Sequence, residues 1–377
     1  MRAFQTSRRA WLAAGLGAGM LAACGGGGSS GSSYMGGGNP GTGGKGYAMT
    51  SLVSDVGASG PYSSTHTDAN LVNGWGVAFN PKGFVWVADA GTSKSTLYDG
   101  QGVPQSLVVS IPPGAAGSAS PTGIVFNGSA DFAVTQAGKT GAGVFLFVGE
   151  GGTVSGWAPG VNMTSAVTVF DGSAAGKVYM GAALASSNGA NFLYATDFHN
   201  ATVDVFDGQF NKIAVAGGFT DSALPAGYAP FGIQAIGNSI YVTFARQDAS
   251  GRRQMTGAGL GVVDVFDATG HLTNRLIGPG GPLNAPWGVA MAPANFGAFS
   301  NDLLVANLGD GHVNAFNPST GALVGTLSKA DGTPIAIDGL WGIAFGNGLD
   351  SQPTNTLFFA AGPAGYSHGV YGRIDTQ

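Results

Sequence analysis

The sequence predicts an all-β fold, a six-bladed β-propeller built from four-stranded antiparallel blades. The composition and an internal repeat predict it. The chain has 68 Gly and 18 Pro among 377 residues, and only 9% of its residues are charged. Many turn residues and few polar helix formers are typical of short strands joined by tight turns. The formal net charge is only −5 and the basic residues are scattered, so no nucleic acid partner is expected.

Residues 1–23 have the pattern of a signal peptide. Three arginines precede an apolar run over residues 10–20, and Leu-Ala-Ala then leads to Cys24. This resembles a bacterial lipoprotein signal, with some likeness to a twin-arginine export signal, and it implies a lipid on Cys24. The apolar run is too short for a membrane-spanning helix. We therefore expect an exported protein, lipid-anchored to the bacterial cell envelope at the periplasm or outer surface, which meets the membrane only through that anchor.

Residues 24–46 follow the signal and consist mainly of Gly and Ser. Such a segment buries too little apolar surface to offset the entropy of ordering it, so it is interpreted as a tether. Cys24 is the only cysteine, and no disulfide is therefore expected in the remaining domain, residues 47–377.

The repeat is clearest where four strand-like segments follow one another, over residues 74–79, 85–89, 95–100 and 105–111. Each segment is apolar or β-branched and is bounded by turn residues, as in the strands of one blade. Related copies recur about every 50 residues, a spacing typical of propeller blades. They start near residues 71, 120, 174, 228, 283 and 338, which gives six blades.

The two ends of the repeat region predict how the ring closes. The sixth copy ends after its third strand, whereas residues 47–53 form a strand-like segment with no local partner. We expect this N-terminal strand to complete blade six and to cover an open sheet edge.

The second strands end in Asp or Asn and the third strands often end in Asp-Gly, as in Asp89, Asp197 and Asp207-Gly208. These features resemble NHL-type propeller blades. The lipoprotein signal, the Gly-rich tether and the segment Trp-Gly-Val-Ala-Phe-Asn-Pro from Trp75 also resemble an uncharacterised family of exported bacterial proteins. The resemblance implies a fold and no reaction. A β-helix or paired sandwiches are the alternative folds, but their repeats lack this period.

Loops that lead into first strands and loops that join second to third strands open on one face, the upper face. The sequence places aromatic and polar residues there: Trp75, Phe231, Trp287 and Trp341, with Asp89, Asp197, Arg246, Asn307 and Asp310. Apolar area with a few polar groups is typical of a ligand pocket, here for a protein, glycan or small molecule. The alternative is structural: the tryptophans fill space between crowded blades, and the acidic residues form turns.

Three histidines form the candidate metal site, because His199, His312 and His368 come from upper-face loops of blades three, five and six. Three such ligands with an open fourth position would hold a divalent metal, zinc or calcium. The arrangement would resemble the NHL-type peptidyl-hydroxyglycine lyases, whose zinc is held by histidines, with Arg246 here stabilising an anion. The alternative is that each histidine is a solvated turn residue.

Two further features concern the loops of the two faces. The only glutamate, Glu150, is interpreted as a turn residue of the lower face, unlike the metal-binding inner-strand glutamate of gluconolactonase-like propellers. Residues 247–261, with Arg252 and Arg253, form a long upper-face insertion. Such a loop is a lid, a partner contact or a tolerated insertion.

The sequence favours a monomeric, surface-tethered recognition propeller with no firmly expected cofactor. One alternative is a metal-dependent lyase or hydrolase that uses the three histidines. A second alternative is an envelope scaffold without a ligand.

Overall fold

The structure is a computed structural model that describes residues 46–377. The predicted signal peptide, Cys24 and the tether up to residue 45 lie outside the described residues. No helix within residues 46–377 combines the length and apolar character needed to cross a membrane.

The described chain begins with two strands that precede the first blade, β1 (Tyr47–Ser54) and β2 (His66–Thr67). Blade one is built from β3 (Gly74–Phe79), β4 (Val85–Asp89), β5 (Lys94–Tyr98) and β6 (Val109–Ser110). Between residues 121 and 171 the strands are β7 (Pro121–Phe126), β8 (Ala133–Gln136), β9 (Lys139–Ala142), β10 (Phe145–Gly149), β11 (Thr153–Trp157) and β12 (Val167–Asp171). Of these, β7, β10, β11 and β12 form blade two, and β8 and β9 pair only with each other.

Blades three and four follow the same pattern. Blade three is β13 (Tyr179–Ser187), β14 (Ala190–Asp197), β15 (Thr202–Phe206) and β16 (Lys212–Ile213). Blade four is β17 (Tyr228–Ile236), β18 (Ser239–Arg246), β19 (Gly261–Phe266) and β20 (Leu272–Ile277).

Blade five is β21 (Pro286–Met291), β22 (Leu303–Asn307), β23 (Val313–Phe316) and β24 (Leu323–Thr326). Blade six contains β25 (Leu340–Phe345), β26 (Leu357–Ala361) and β27 (Val370–Thr376). Helical structure in the described residues is limited to 3₁₀ turns at Ser173–Ala175 and Gly297–Phe299 and one helical turn at Pro363–Tyr366. The six-bladed all-β fold is confirmed.

The N-terminal strand closes the ring, as predicted. Strand β1 runs antiparallel to β27, with Tyr47 opposite Thr376 and Ser54 opposite Val370. It is the fourth strand of blade six, and β2 adds to its outer side in parallel. The chain therefore enters the domain at the lower face, where the backbone N–H of Gln377 donates to the carbonyl oxygen of Gly46 at 3.0 Å.

Inner strands of neighbouring blades approach closely at a ring of glycines, one per blade: Gly76, Gly123, Gly181, Gly232, Gly288 and Gly342. A Cβ atom on Gly232 would lie 2.0 Å from the carbonyl oxygen of Trp287, and one on Gly342 would lie 2.4 Å from that of Trp75. No side chain fits at such distances, which explains why glycine follows the aromatic residue in the repeat.

Blade two corrects one part of the sequence interpretation. The segment Ala133–Gln136 has the alternation of a second strand, but it pairs with Lys139–Ala142 in a separate hairpin. The second strand is β10, which pairs with β7 on one side and β11 on the other. The strands after the hairpin are therefore each one place earlier in the blade than a count that includes Ala133–Gln136 would give. Glu150, in the turn between β10 and β11, lies on the upper face, and its predicted lower-face position is wrong.

Candidate functional site

The predicted upper-face aromatic residues form a plug at the centre of the ring. The Trp75 and Trp341 rings are stacked with centroids 3.4 Å apart. Trp287 meets Trp75 and Trp341 edge-on, at 5.9 and 6.1 Å, and Phe231 lies 5.8 Å from Trp341. All four side chains are buried. They contact one another, and their ring faces are not open to solvent.

Below the plug the inner strands line a cavity of about 390 Å³. Its walls include Val77, Ile124, Val289 and Ile343, with Gln234 as a polar side chain. The plug lies between this cavity and the upper face.

The predicted polar residues of the second strands have different surroundings. Asp197 and Asn307 are buried and bonded: the Val178 N–H donates to Asp197 at 3.1 Å, and the Asn284 N–H donates to Asn307 at 3.1 Å. Asp89 is also buried, but neither of its carboxylate oxygens has a hydrogen bond of normal geometry from any described residue. Burial raises the pKa of Asp89 well above its ordinary value, although the adjacent Thr96 hydroxyl acts in the opposite direction.

The remaining predicted polar residues lie at exposed positions. Arg246 is the last residue of β18 and pairs with Tyr228 in the ladder. Asp310 accepts hydrogen bonds from the Asn307 and Asn284 side-chain amides, each at 3.3 Å, and thereby shapes its own loop.

The three histidines have separate local partners. The His368 ring lies 2.8 Å from the Asp55 carboxylate, measured between Nδ1 and Oδ2. His312 lies 3.6 Å from Asp310, and Nδ1 of His199 lies 3.3 Å from the carbonyl oxygen of Gly251. Within residues 46–377 no group of three or more His, Cys, Asp and Glu side chains is placed to hold a metal ion. The structure does not bring the three histidines together.

The upper face does contain a polar cleft, between the loops of blades two, three and four, with a volume of about 250 Å³. Its functional side chains are Ser118, Ser120, Glu150, Ser173, Lys177, Arg252 and Arg253. Five of the seven come from loops of blades two and three, whereas both arginines come from the long loop of blade four. We call this site the polar cleft.

The long loop of blade four holds the two arginines in place. The Asp248 carboxylate accepts hydrogen bonds from the Ser250 hydroxyl at 2.7 Å and the Ser250 N–H at 3.0 Å. The Asp248 N–H donates to the carbonyl oxygen of Arg253 at 2.8 Å, which closes the turn. At the far side, the Gln254 amide donates to the Tyr366 hydroxyl at 2.8 Å. The loop is thus fixed at both ends of the arginine pair.

The two arginines differ in their partners. Arg253 forms an ion pair with Glu150, whose side chain is only 16% exposed. The hydrogen bonds of Arg252 to other described residues come from its backbone N–H, which donates to Asp248 and Ser250. The guanidinium of Arg252 is exposed at the cleft without an ion-pair partner among residues 46–377. It is the group best placed to meet an anion.

Lys177 forms the floor of the polar cleft and is held from below. Its ammonium lies 2.9 Å from Asp197 and 2.6 Å from Asp204. Asp204 also contacts Lys212 at 2.8 Å and accepts a hydrogen bond from the Tyr179 hydroxyl at 2.7 Å. Desolvation lowers the pKa of Lys177, but the hydrogen bonds and charges of the two aspartates outweigh it, and the net shift is upward. Lys177 is a structural cation.

The sequence interpretation missed Glu150 and Lys177 as parts of this site. Lys177 has no local motif, because its partners are 20 and 27 residues away along the chain. Glu150 is on the upper face and not on the predicted lower face because the hairpin of β8 and β9 lies between the first and second strands of blade two without belonging to the blade. The long spacing between β7 and β10, with Ala137-Gly138 at its middle, is the signal that would have identified the insertion.

Solved structures similar to the chain include a putative gluconolactonase, 13% identical with a TM-score of 0.48, covering 81% of this chain and 89% of that one. A virginiamycin B lyase from Staphylococcus aureus is 15% identical with a TM-score of 0.41, covering 79% of each chain. At such low similarity neither structure says anything about the chemistry of the upper face.

No family model matches the chain. Uncharacterized protein L690 of Acanthamoeba polyphaga mimivirus is 31% identical over 287 residues, 74% of this chain and 75% of the relative. Uncharacterized protein R648 of the same virus is 34% identical over 315 residues, 82% of this chain and 76% of the relative. These relatives have no bearing on the predicted bacterial lipoprotein signal. The chain belongs to the same protein family as Uncharacterized protein R648.

Proposed function

We propose that the protein is a recognition propeller that binds an acidic ligand, one bearing a carboxylate, sulfate or phosphate group, in the polar cleft. The observation that carries the proposal is the exposed guanidinium of Arg252, which has no ion-pair partner among the described residues and lines the same cleft as three serine residues. A guanidinium offers paired donors that match such groups, and hydroxyls orient the remaining oxygens.

The position of the cleft supports this function. The cleft is on the upper face, whereas the chain enters the domain at the lower face through β1. The point where the chain enters and the polar cleft therefore lie on opposite faces of the described domain.

The proposal places the binding surface at the polar cleft and not at the four aromatic plug residues. The four plug residues are buried against one another and offer little area to a ligand. The alternative of a three-histidine metal enzyme has less support, because the three side chains bond to separate neighbours.

The test compares two sugars that differ only at one group, galacturonate and galactose, by titration calorimetry on the 47–377 domain. We expect the acid to bind more tightly than the neutral sugar. The Arg252→Gln variant should lose about tenfold in affinity for the acid, since a charge-assisted hydrogen bond contributes about 1.5–3 kcal/mol.

The matched control is Lys82→Gln, which removes a positive charge from an exposed loop of the lower face. Its affinity should equal that of the unchanged protein. If the wild-type domain fails to bind galacturonate and also inorganic sulfate, or if Lys82→Gln loses as much affinity as Arg252→Gln, the proposed function is wrong.

A further inference from the structure

The ion pair between Glu150 and Arg253 joins two loops across the polar cleft. Glu150 is in the turn between β10 and β11, and Arg253 is in the long loop of blade four, 103 residues further along the chain. The Glu150 side chain is 16% exposed and that of Arg253 is 53% exposed. A half-exposed cation is therefore neutralised by an acid that is largely withdrawn from solvent.

Two other cations lie near Glu150, and neither forms an ion pair with it in the described residues. Arg252 lies on the same loop, and its charge acts on Glu150. Lys177 lines the same cleft, but its ammonium is bound by Asp197 and Asp204. From blade six, Tyr366 is a titratable neighbour of Glu150 and Arg253, its hydroxyl accepts a hydrogen bond from Gln254, and the charge of Asp338 acts on it. Glu150 is thus the acid that determines whether Arg253 is available.

We propose that Glu150 is a built-in competitor for Arg253, and that protonation of Glu150 releases Arg253 to bind the acidic ligand beside Arg252. The inference rests on the proposed function and adds its regulation. With Glu150 ionised the cleft offers one free guanidinium, and with Glu150 protonated it offers two. An acidic ligand that binds both must displace the Glu150 carboxylate from Arg253.

Burial gives this competition its dependence on pH. Desolvation raises the pKa of Glu150 above its ordinary value of 4.5, and the charge and hydrogen bond of Arg253, with the charge of Arg252, only partly offset it. Below this pKa the carboxyl is neutral and Arg253 is free, so affinity is high. Above it the carboxylate holds Arg253, so affinity is low. At pH values where Glu150 is ionised, binding of an anion to Arg253 must then be accompanied by proton uptake on Glu150.

The experiment titrates inorganic sulfate into the 47–377 domain by calorimetry between about pH 4.5 and pH 8, a range in which sulfate keeps its charge. The wild type should bind sulfate about tenfold more tightly at the acidic end, a difference equal to the loss of one charge-assisted contact. Heats measured in two buffers of different ionisation enthalpy should show proton uptake at pH values where Glu150 is ionised in the ligand-free domain.

Three variants separate the roles. Glu150→Gln should bind tightly over the whole range, with no proton uptake. Arg253→Gln should bind weakly over the whole range. Arg252→Gln should lose affinity at every pH but keep the dependence on pH. Thermal melting of each variant checks that the fold is intact.

The possible failures are distinct. Wild-type binding that does not change with pH, or a Glu150→Gln variant that retains the pH dependence, overturns the competitor role and leaves the proposed function standing. A wild-type domain that binds neither sulfate nor galacturonate at any pH overturns both.

Discussion

Blades one and three place an aspartate at the same point, the last residue of the second strand, yet the two carboxylates have opposite surroundings. Asp89 ends β4 and Asp197 ends β14, and both have no exposed area. Asp197 is bound by the Lys177 ammonium at 2.9 Å, the Val178 N–H at 3.1 Å and the Asn200 amide at 2.7 Å. Asp89 has no normal hydrogen bond from the described residues.

The difference comes from the residue two positions before each inner strand. In blade three the N–H of Phe198 donates to Val178, and in blade one the N–H of Ala90 donates to Asn73. Lys177 and Val72, one residue earlier, are therefore counterparts. Where the chain has lysine, the buried acid is part of an ion-pair cluster, and where it has valine, the acid forms no ion pair with a described residue, although the charge of Lys94 acts on it. The repeat fixes the position of the aspartate, and a single distant residue fixes its electrostatic role.

The largest effect is expected when the ion pair that holds Asp197 is removed. Lys177→Met removes the cation between Asp197 and Asp204 and leaves two buried acids with fewer partners. We expect the free energy of unfolding to fall by about 3–5 kcal/mol near pH 7, as when one partner of a buried pair is removed. Urea denaturation measures it, with Lys82→Met as the exposed control. A loss below about 1 kcal/mol would contradict the interpretation of Lys177 as a structural cation.

The second test replaces each aspartate by asparagine. Asp197→Asn should lose about 1–3 kcal/mol near pH 7, because charged hydrogen bonds are weakened. Asp89→Asn should lose little in acid and gain stability in alkali. The folded chain holds the Asp89 proton more tightly than the unfolded chain, so wild-type stability falls as pH rises from about 4 through the raised pKa. Asparagine has no proton to lose there. Denaturation at several pH values measures the free energy of unfolding of both variants. If both lose the same amount at every pH, the two aspartates do not differ in their electrostatic role.

The smallest expected effect comes from copying the partner of blade three into blade one. Val72→Lys places an ammonium near Asp89 and should reduce the decline of stability with rising pH, by about 1 kcal/mol or less. Denaturation across the same pH range measures the decline. The control is the double variant Val72→Lys with Asp89→Asn, in which the lysine has no acid to meet. If Val72→Lys changes the pH dependence of stability equally with and without Asp89→Asn, the lysine does not act through Asp89.

The overall fold was predictable because it depends on local patterns that repeat. The Trp-Gly pairs recur because glycine is required where inner strands meet, as at Gly232 and Gly342. The closing strand was predictable because one strand was missing at the end of the repeats and one was surplus at their start. Both inferences needed only the spacing of segments along the chain.

The polar cleft was less accessible to sequence analysis because its parts come from separate blades. The long loop with Arg252 and Arg253 was identified as a candidate, since its length departs from the repeat. Glu150 was misplaced because the hairpin at residues 133–142 alternates like a blade strand and differs only in its pairing. The role of Lys177 depends on contacts across the sheet that no local pattern encodes.

The pairing of β1 with β27 also brings the two ends of the described domain together. Gly46 and Gln377 are joined by a hydrogen bond at the lower face, so the two ends of the domain are neighbours in space. During synthesis β1 cannot pair with β27 until blade six has been made. Conversely, a short linker between the two ends would let the chain be reopened in another lower-face turn, and the same propeller would form from a rearranged order of blades.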